Sequence, residues 1–161
     1  METLTTELGG QFVWEGDPQQ AMRRRAREAA LQVLFQLDVG RLGLEDALAS
    51  VAAPDWLPED WALVVTLSEG TQAHLVEIDA LIARVAEHWT IDRMVAVDRN
   101  ILRMALFELQ HTPTPVRVII NEAVELAKQY STEDSGRFVN GLLGHVVRSG
   151  VFPLVGQAAD V

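Results

Sequence analysis

Apolar residues recur along this chain at steps of three and four, and no stretch alternates apolar with polar over strand length, so helices account for the pattern. The first periodic run covers about 21–39 and stops at Gly40, a residue suited to a helix C-terminal cap. A short helix fits 44–53, ended by Pro54. Pro58 opens a long third helix, because proline suits the first helical turn. Its stripe steps through Trp61, Val64, Leu67, Thr71, Leu75, Ile78, Ile82, Val85 and Trp89, with Gly70 inside it as a point of kinking or close backbone approach. A turn of helix at Asp92 precedes a helix over 97–110, and Pro113 and Pro115 break the chain before helices over 116–130 and 134–149. On the last of these, Phe138, Val139, Leu142, Leu143 and Val146 share one face, while Arg137, His145 and Arg148 share another. Asn140-Gly141 breaks helix propensity there, which a close helix contact at Gly141 explains. Ser131, Asp134 and Ser135 stand where N-capping residues belong. Six or seven helices joined by short links make an all-α bundle.

At 161 residues and 48% hydrophobic content, the chain is long enough to bury one core without disulfides or a metal. Residues 1–21, with Gly9, Gly10, Gly16 and Pro18, read as a flexible acidic leader, 22–149 as the folded domain and 150–161 as a tail. There is no cysteine, which excludes disulfides, thiolate catalysis and thiolate metal sites. No apolar run is long enough to span a bilayer and no signal pattern opens the chain, so the expected location is cytoplasmic.

Charge is unevenly placed. The net charge is −10, residues 1–21 carry four acids and no base, and residues 40–112 carry twelve acids against five bases. Yet residues 23–27 hold Arg23, Arg24, Arg25 and Arg27. A basic cluster on an acidic protein points to two partners of opposite sign on different surfaces, against the plainer reading of the acids as solubilising surface. At 100° per residue, Ala26, Ala29, Ala30, Val33 and Leu37 face the core, while Arg24, Leu31 and Phe35 point roughly the other way. A homodimer hiding the arginines through Leu31 and Phe35 is one use of that second strip. Cations near a helix N-terminus oppose the macrodipole, at a cost of up to about 1 kcal/mol. Phosphates held by guanidinium forks would offset this, with Phe35 as a stacking face for an unpaired base. The alternative is a solvated helix start whose Phe35 packs on a neighbouring helix.

No catalytic constellation emerges. His74, His88, His111 and His145 are scattered without ligand spacing, and neither a phosphate-binding glycine loop nor a nucleophile elbow is present. Glu122 and Glu125 lie one turn apart, as paired surface acids commonly do. The expectation is a protein with no metal, no cofactor and no enzymatic activity.

Four ordered segments carry a more specific likeness: RRRAREAALQVLF (23–35), VDRNILRMALFEL (97–109), PVRVIINEAVELAKQYSTEDS (115–135) and RFVNGLL (137–143). Together they resemble the NusB family of bacterial transcription antitermination factors over about residues 22–149. The resemblance implies an all-α fold of two packed helical bundles. It also implies binding of single-stranded boxA RNA from ribosomal RNA leaders together with NusE, a basic small-subunit ribosomal protein, to help RNA polymerase read through terminators. Carried over by motif position, it assigns RNA contacts to Arg23, Arg24, Arg25, Arg27, Phe35, Tyr130, Asp134, Arg137 and Phe138, and a NusE-facing role to Asp98. The acidic middle of the chain suits a basic partner, and the arginines suit RNA. Related helical domains occur fused to ribosomal RNA methyltransferases; no such sequence follows here, and a stand-alone factor is expected. The leader and the tail fall outside the resemblance, and the leader's charge makes it a candidate autoinhibitor of the arginines. A helical scaffold in ribosome biogenesis, without sequence-specific RNA contact, is the competing reading.

Overall fold

The computed structural model describes residues 5–8, 11–14, 18–86 and 89–156. Among the described residues seven α-helices form: α1 (Pro18–Asp38), α2 (Leu44–Val51), α3 (Pro58–Ala73), α4 (Leu75–Val85), α5 (Ala96–His111), α6 (Val116–Tyr130) and α7 (Glu133–Ser149). The turn expected at Asp92 is a 3-10 turn, Ile91–Arg93.

Three departures are instructive. Within the segment read as an unstructured leader, β1 (Thr5–Leu8) and β2 (Gln11–Trp14) pair antiparallel, with Thr5 opposite Trp14 and Leu8 opposite Gln11. Strands of four residues are too short for alternation to stand out. The leader acids Glu2, Glu15 and Asp17, invoked for autoinhibition, lie outside the described residues, as does His88.

The long third helix is two helices. His74 leaves helical geometry (φ −106°, ψ 17°) and its Nδ1–H donates to the Gly70 carbonyl at 2.9 Å, so α3 ends and α4 sets off in a new direction. Trp89 lies beyond the end of α4 and is exposed. Gly70 itself is a close-approach site, since a Cβ there would sit 2.1 Å from the Phe107 ring. By contrast, a Cβ on Gly141 meets nothing within 4 Å, so the expected helix contact is absent there and nothing in the structure explains Asn140-Gly141. The cap of α7 is Thr132, whose hydroxyl accepts from the Ser135 N–H at 3.0 Å.

The helices pack as two groups, α1–α3 and α4–α7, with α5 also seated against α1 and α3. Every residue from Asn100 to Leu109 is buried, which makes α5 the central strut. One apolar core spans both groups, including Leu34, Leu67, Ile82, Leu106, Ile119 and Leu143, and a smaller cluster joins Ala26 and Ala29 to Val64. Beyond α7, Val151, Phe152 and Leu154 pack against the main core, and the Val155 N–H donates to Leu109 O at 3.3 Å.

Candidate nucleic-acid interface

Because α1 begins at Pro18, the arginines occupy its second and third turns, where the macrodipole penalty has faded. Three of the four charges are then met by carboxylates from distant segments. Arg24 donates from Nε and Nη2 to Glu122 on α6, both at 3.0 Å. That carboxylate holds the Arg24 guanidinium above its ordinary pKa against partial burial. Arg25 forks onto Asp55, between α2 and α3, at 3.0 and 3.1 Å. Arg27 forks onto Glu108 of α5, 2.8 Å in each arm, deep between helices. Burial works against the Arg27 charge, and the Glu108 carboxylate more than offsets it. Arg23 alone of the four is exposed without an ion pair among the described residues.

The arginine fan read from the sequence is therefore only partly a surface. Arg27 is an internal joint and cannot present its fork to a phosphate. The second apolar strip shrinks as well: Leu31 is buried at 5% exposure in the main core, leaving Phe35 exposed at 37%. The strip that a homodimer would use thus lacks Leu31.

Phe35 lines a groove of about 530 Å³ whose floor is α1. One wall is built by Ser50 and Val51 of α2 and by Trp56, the other by Val97 of α5 and Tyr130 of α6. Arg25 and Glu28 stand at its rim. Tyr130 is exposed at 47%, and partial burial with the neighbouring Glu28 raises its phenol, which stays protonated at neutral pH. Exposed aromatics, a cation and neutral hydrogen-bonding groups around one groove are what an unpaired base requires. Trp56 was not singled out in the sequence. A tryptophan in the three-residue link between Pro54 and Pro58 was the available signal, because a helix link has no core of its own to fill.

A second depression, of about 250 Å³, gathers Asp98, Asp134 and Phe138 with Trp89, Arg93, Val95 and Ser135. Val97 lines the first depression and Asp98 the second, so the two adjoin at the start of α5. Asp98 is buried rather than displayed: Ser135 Oγ–H donates to its Oδ2 at 2.8 Å, while Oδ1 has no hydrogen-bond partner among the described residues. Phe138 is half-buried and edge-on to Trp89, centroids 6.5 Å apart. Arg137 and Asp134 are both exposed and pair with each other one turn apart. Ser135, expected as a cap, thus also serves as the hydroxyl that holds Asp98.

The histidines are less scattered than the sequence implies. His74 and His111 lie with tilted rings, centroids 4.2 Å apart, and burial together with the neighbouring His74 lowers the pKa of His111. Among the described residues no group of three or more metal-binding side chains converges, and no helix is long and apolar enough to cross a membrane.

The NusB family model matches residues 24–148. The transcription antitermination protein NusB of Solibacter usitatus is 48% identical over 131 residues, covering 80% of this chain and 90% of that protein. Its counterpart from Symbiobacterium thermophilum is 47% identical over 136 residues, covering 78% and 89%. Among solved structures, T. maritima NusB superposes with a TM-score of 0.74 at 38% identity, over 78% of this chain and 90% of that one. A chain from the complex of antitermination factors NusB and NusE with dsRNA superposes with a TM-score of 0.69 at 28% identity, over 80% and 98%.

Proposed function

The chain belongs to the NusB family, and from that premise we propose that it is a non-enzymatic, cytoplasmic antitermination factor. It binds boxA RNA of ribosomal RNA leaders together with NusE and hands the assembly to the elongating RNA polymerase. Residues 22–149 are the working domain, and no metal or cofactor is required. The observation that carries this reading is the α1 groove, where Arg25 and Phe35 of α1 share one surface with Tyr130 of α6. Arg23 supplies an exposed cation on another side of α1, beside the depression lined by Leu57, Glu59 and Thr66, and Arg24 contributes once a phosphate competes with Glu122.

Asp98 is the NusE contact. Asp98 lines the adjoining depression, and its buried Oδ1 has no hydrogen-bond partner among the described residues, so a donor from a basic ribosomal protein reaches it once the depression opens. Asp134, Arg137 and Phe138 sit beside it and close the RNA path where the two partners meet. Fluorescence anisotropy with labelled boxA RNA tests the reading, with this protein alone and with NusE. Selective binding over a scrambled RNA, tightened by NusE and weakened by Arg23→Ala, is expected. Equal, weak binding to both RNAs, with NusE binding intact, would transfer the protein to the scaffold reading.

A further inference from the structure

We propose that Arg25 and Trp56 form a stacking shelf for one unpaired RNA base, in which Arg25 offers the face of its guanidinium rather than its fork. The inference rests on the RNA-binding reading and adds to it a residue, Trp56, and a mode of contact.

The shelf is already assembled. The indole of Trp56 is fixed at one edge, where Nε1–H donates to Val51 O at 3.0 Å, and tilts against Trp61 with centroids 6.0 Å apart. Over its ring lies the Arg25 guanidinium, 4.0 Å from the centroid. That guanidinium is held in plane by its two bonds to Asp55, whose side chain is largely exposed. The Nη1–Nη2 fork is thereby engaged by a carboxylate and the charge is balanced locally, so a phosphate would have to compete with Asp55 for it. The face of the guanidinium away from Trp56 is the one left for a base, in the groove that Arg25 lines together with Phe35 and Tyr130. A planar, partly desolvated cation backed by an indole is a platform for a base of any identity, since every base has a π-face. The hydroxyls of Ser50 and Tyr130 and the amide of Gln32 stand around the groove, able to meet a base edge. A base suits this balanced groove better than a phosphate does.

The two modes separate by salt. Stacking changes affinity without changing the number of counterions released, whereas loss of a phosphate contact reduces the magnitude of the slope of log K against log salt by about one. Anisotropy titrations of a labelled boxA-type RNA at several salt concentrations should compare wild type with Arg25→Lys, Arg25→Ala, Trp56→Leu and Arg23→Ala. Arg25→Lys keeps the charge at a partly exposed position and removes the plane, so it reports even if Trp56→Leu folds poorly. Each of Arg25→Lys and Trp56→Leu should weaken binding about tenfold with the wild-type slope, the size expected of one base–aromatic stack. Arg23→Ala should reduce the slope. One abasic position in the RNA should reproduce the loss in wild type and add nothing in Arg25→Lys. Wild-type affinity in Arg25→Lys, a reduced slope in Arg25→Ala, or the absence of any such abasic position would overturn the shelf. So would a loss confined to NusE binding, which would assign the groove to protein. Wild type failing to bind the RNA, with or without NusE, would instead remove the underlying RNA-binding reading.

Discussion

Arg27 on α1 and Glu108 on α5 meet in a forked ion pair, both arms 2.8 Å, with side chains only 4% and 2% exposed. An arginine that the sequence groups with a surface cluster is thus a joint between two helices. Deleting one partner of a buried pair strands the other charge, at a cost of about 3–5 kcal/mol, whereas replacing both with apolar groups of similar size is often neutral. Arg27→Ala should lose that much in urea unfolding, and Arg27→Met/Glu108→Leu should recover most of it. Any loss of RNA binding in Arg27→Ala should track the folded fraction.

Gly70 yields a steric prediction. A Cβ there falls 2.1 Å from Phe107 Cζ, on a ring buried in the core. Gly70→Ala should destabilise by about 1–3 kcal/mol through overpacking. Adding Phe107→Leu should restore part of the melting temperature, although alone it weakens the core.

Asp38 governs the acid side of stability. Burial opposes its charge, but bonds from Arg99 (2.8 Å) and Asn100 (3.0 Å) and the charge of Arg103 hold its carboxyl below the usual range. A depressed folded pKa means its contribution is complete above the unfolded value of about 4 and drains away as pH falls through the folded one. Asp38→Asn should melt earlier than wild type at pH 7, and the gap should close as pH drops from about 4 towards 2. A gap of constant size across that series would contradict this assignment.

Asp98 separates the two partners. Asp98→Asn retains an oxygen for Ser135 but loses the charge behind the partnerless Oδ1. Calorimetric titration with NusE should show affinity reduced about tenfold or more, as for a truncated interfacial charge pair. RNA affinity of the protein alone should stay within twofold, on the order of experimental scatter in additive sites.

Spacing revealed the helices because each presents a continuous apolar stripe to a neighbour. It concealed the break at His74, since Thr71, Leu75 and Ile78 keep the three-and-four rhythm straight through it. The arginines were visible as charge, but their partners lie 98, 30 and 81 positions away, and no local pattern encodes such pairing. Leu31 was assigned outward because α1 was treated as having a single buried face, whereas it is packed by both helix groups. Phe35 was legible from helix geometry and Tyr130 through the family likeness; Trp56, outside every quoted segment, came to light only once the α2–α3 link was seen to line the same groove as α1.

The burial of α5 has one more consequence. A cylinder coated with Ile101, Leu102, Leu106 and Leu109 would fit its socket at many rotations. Four polar pins remove that freedom: Asn100 to Asp38, Arg103 to Asp79, Glu108 to Arg27 and Asp98 to Ser135. Turning the helix by one residue, about 100°, would unseat all four together. The docking angle of α5 is therefore keyed, and with it the spacing between the depression that Val97 lines and the one that Asp98 lines.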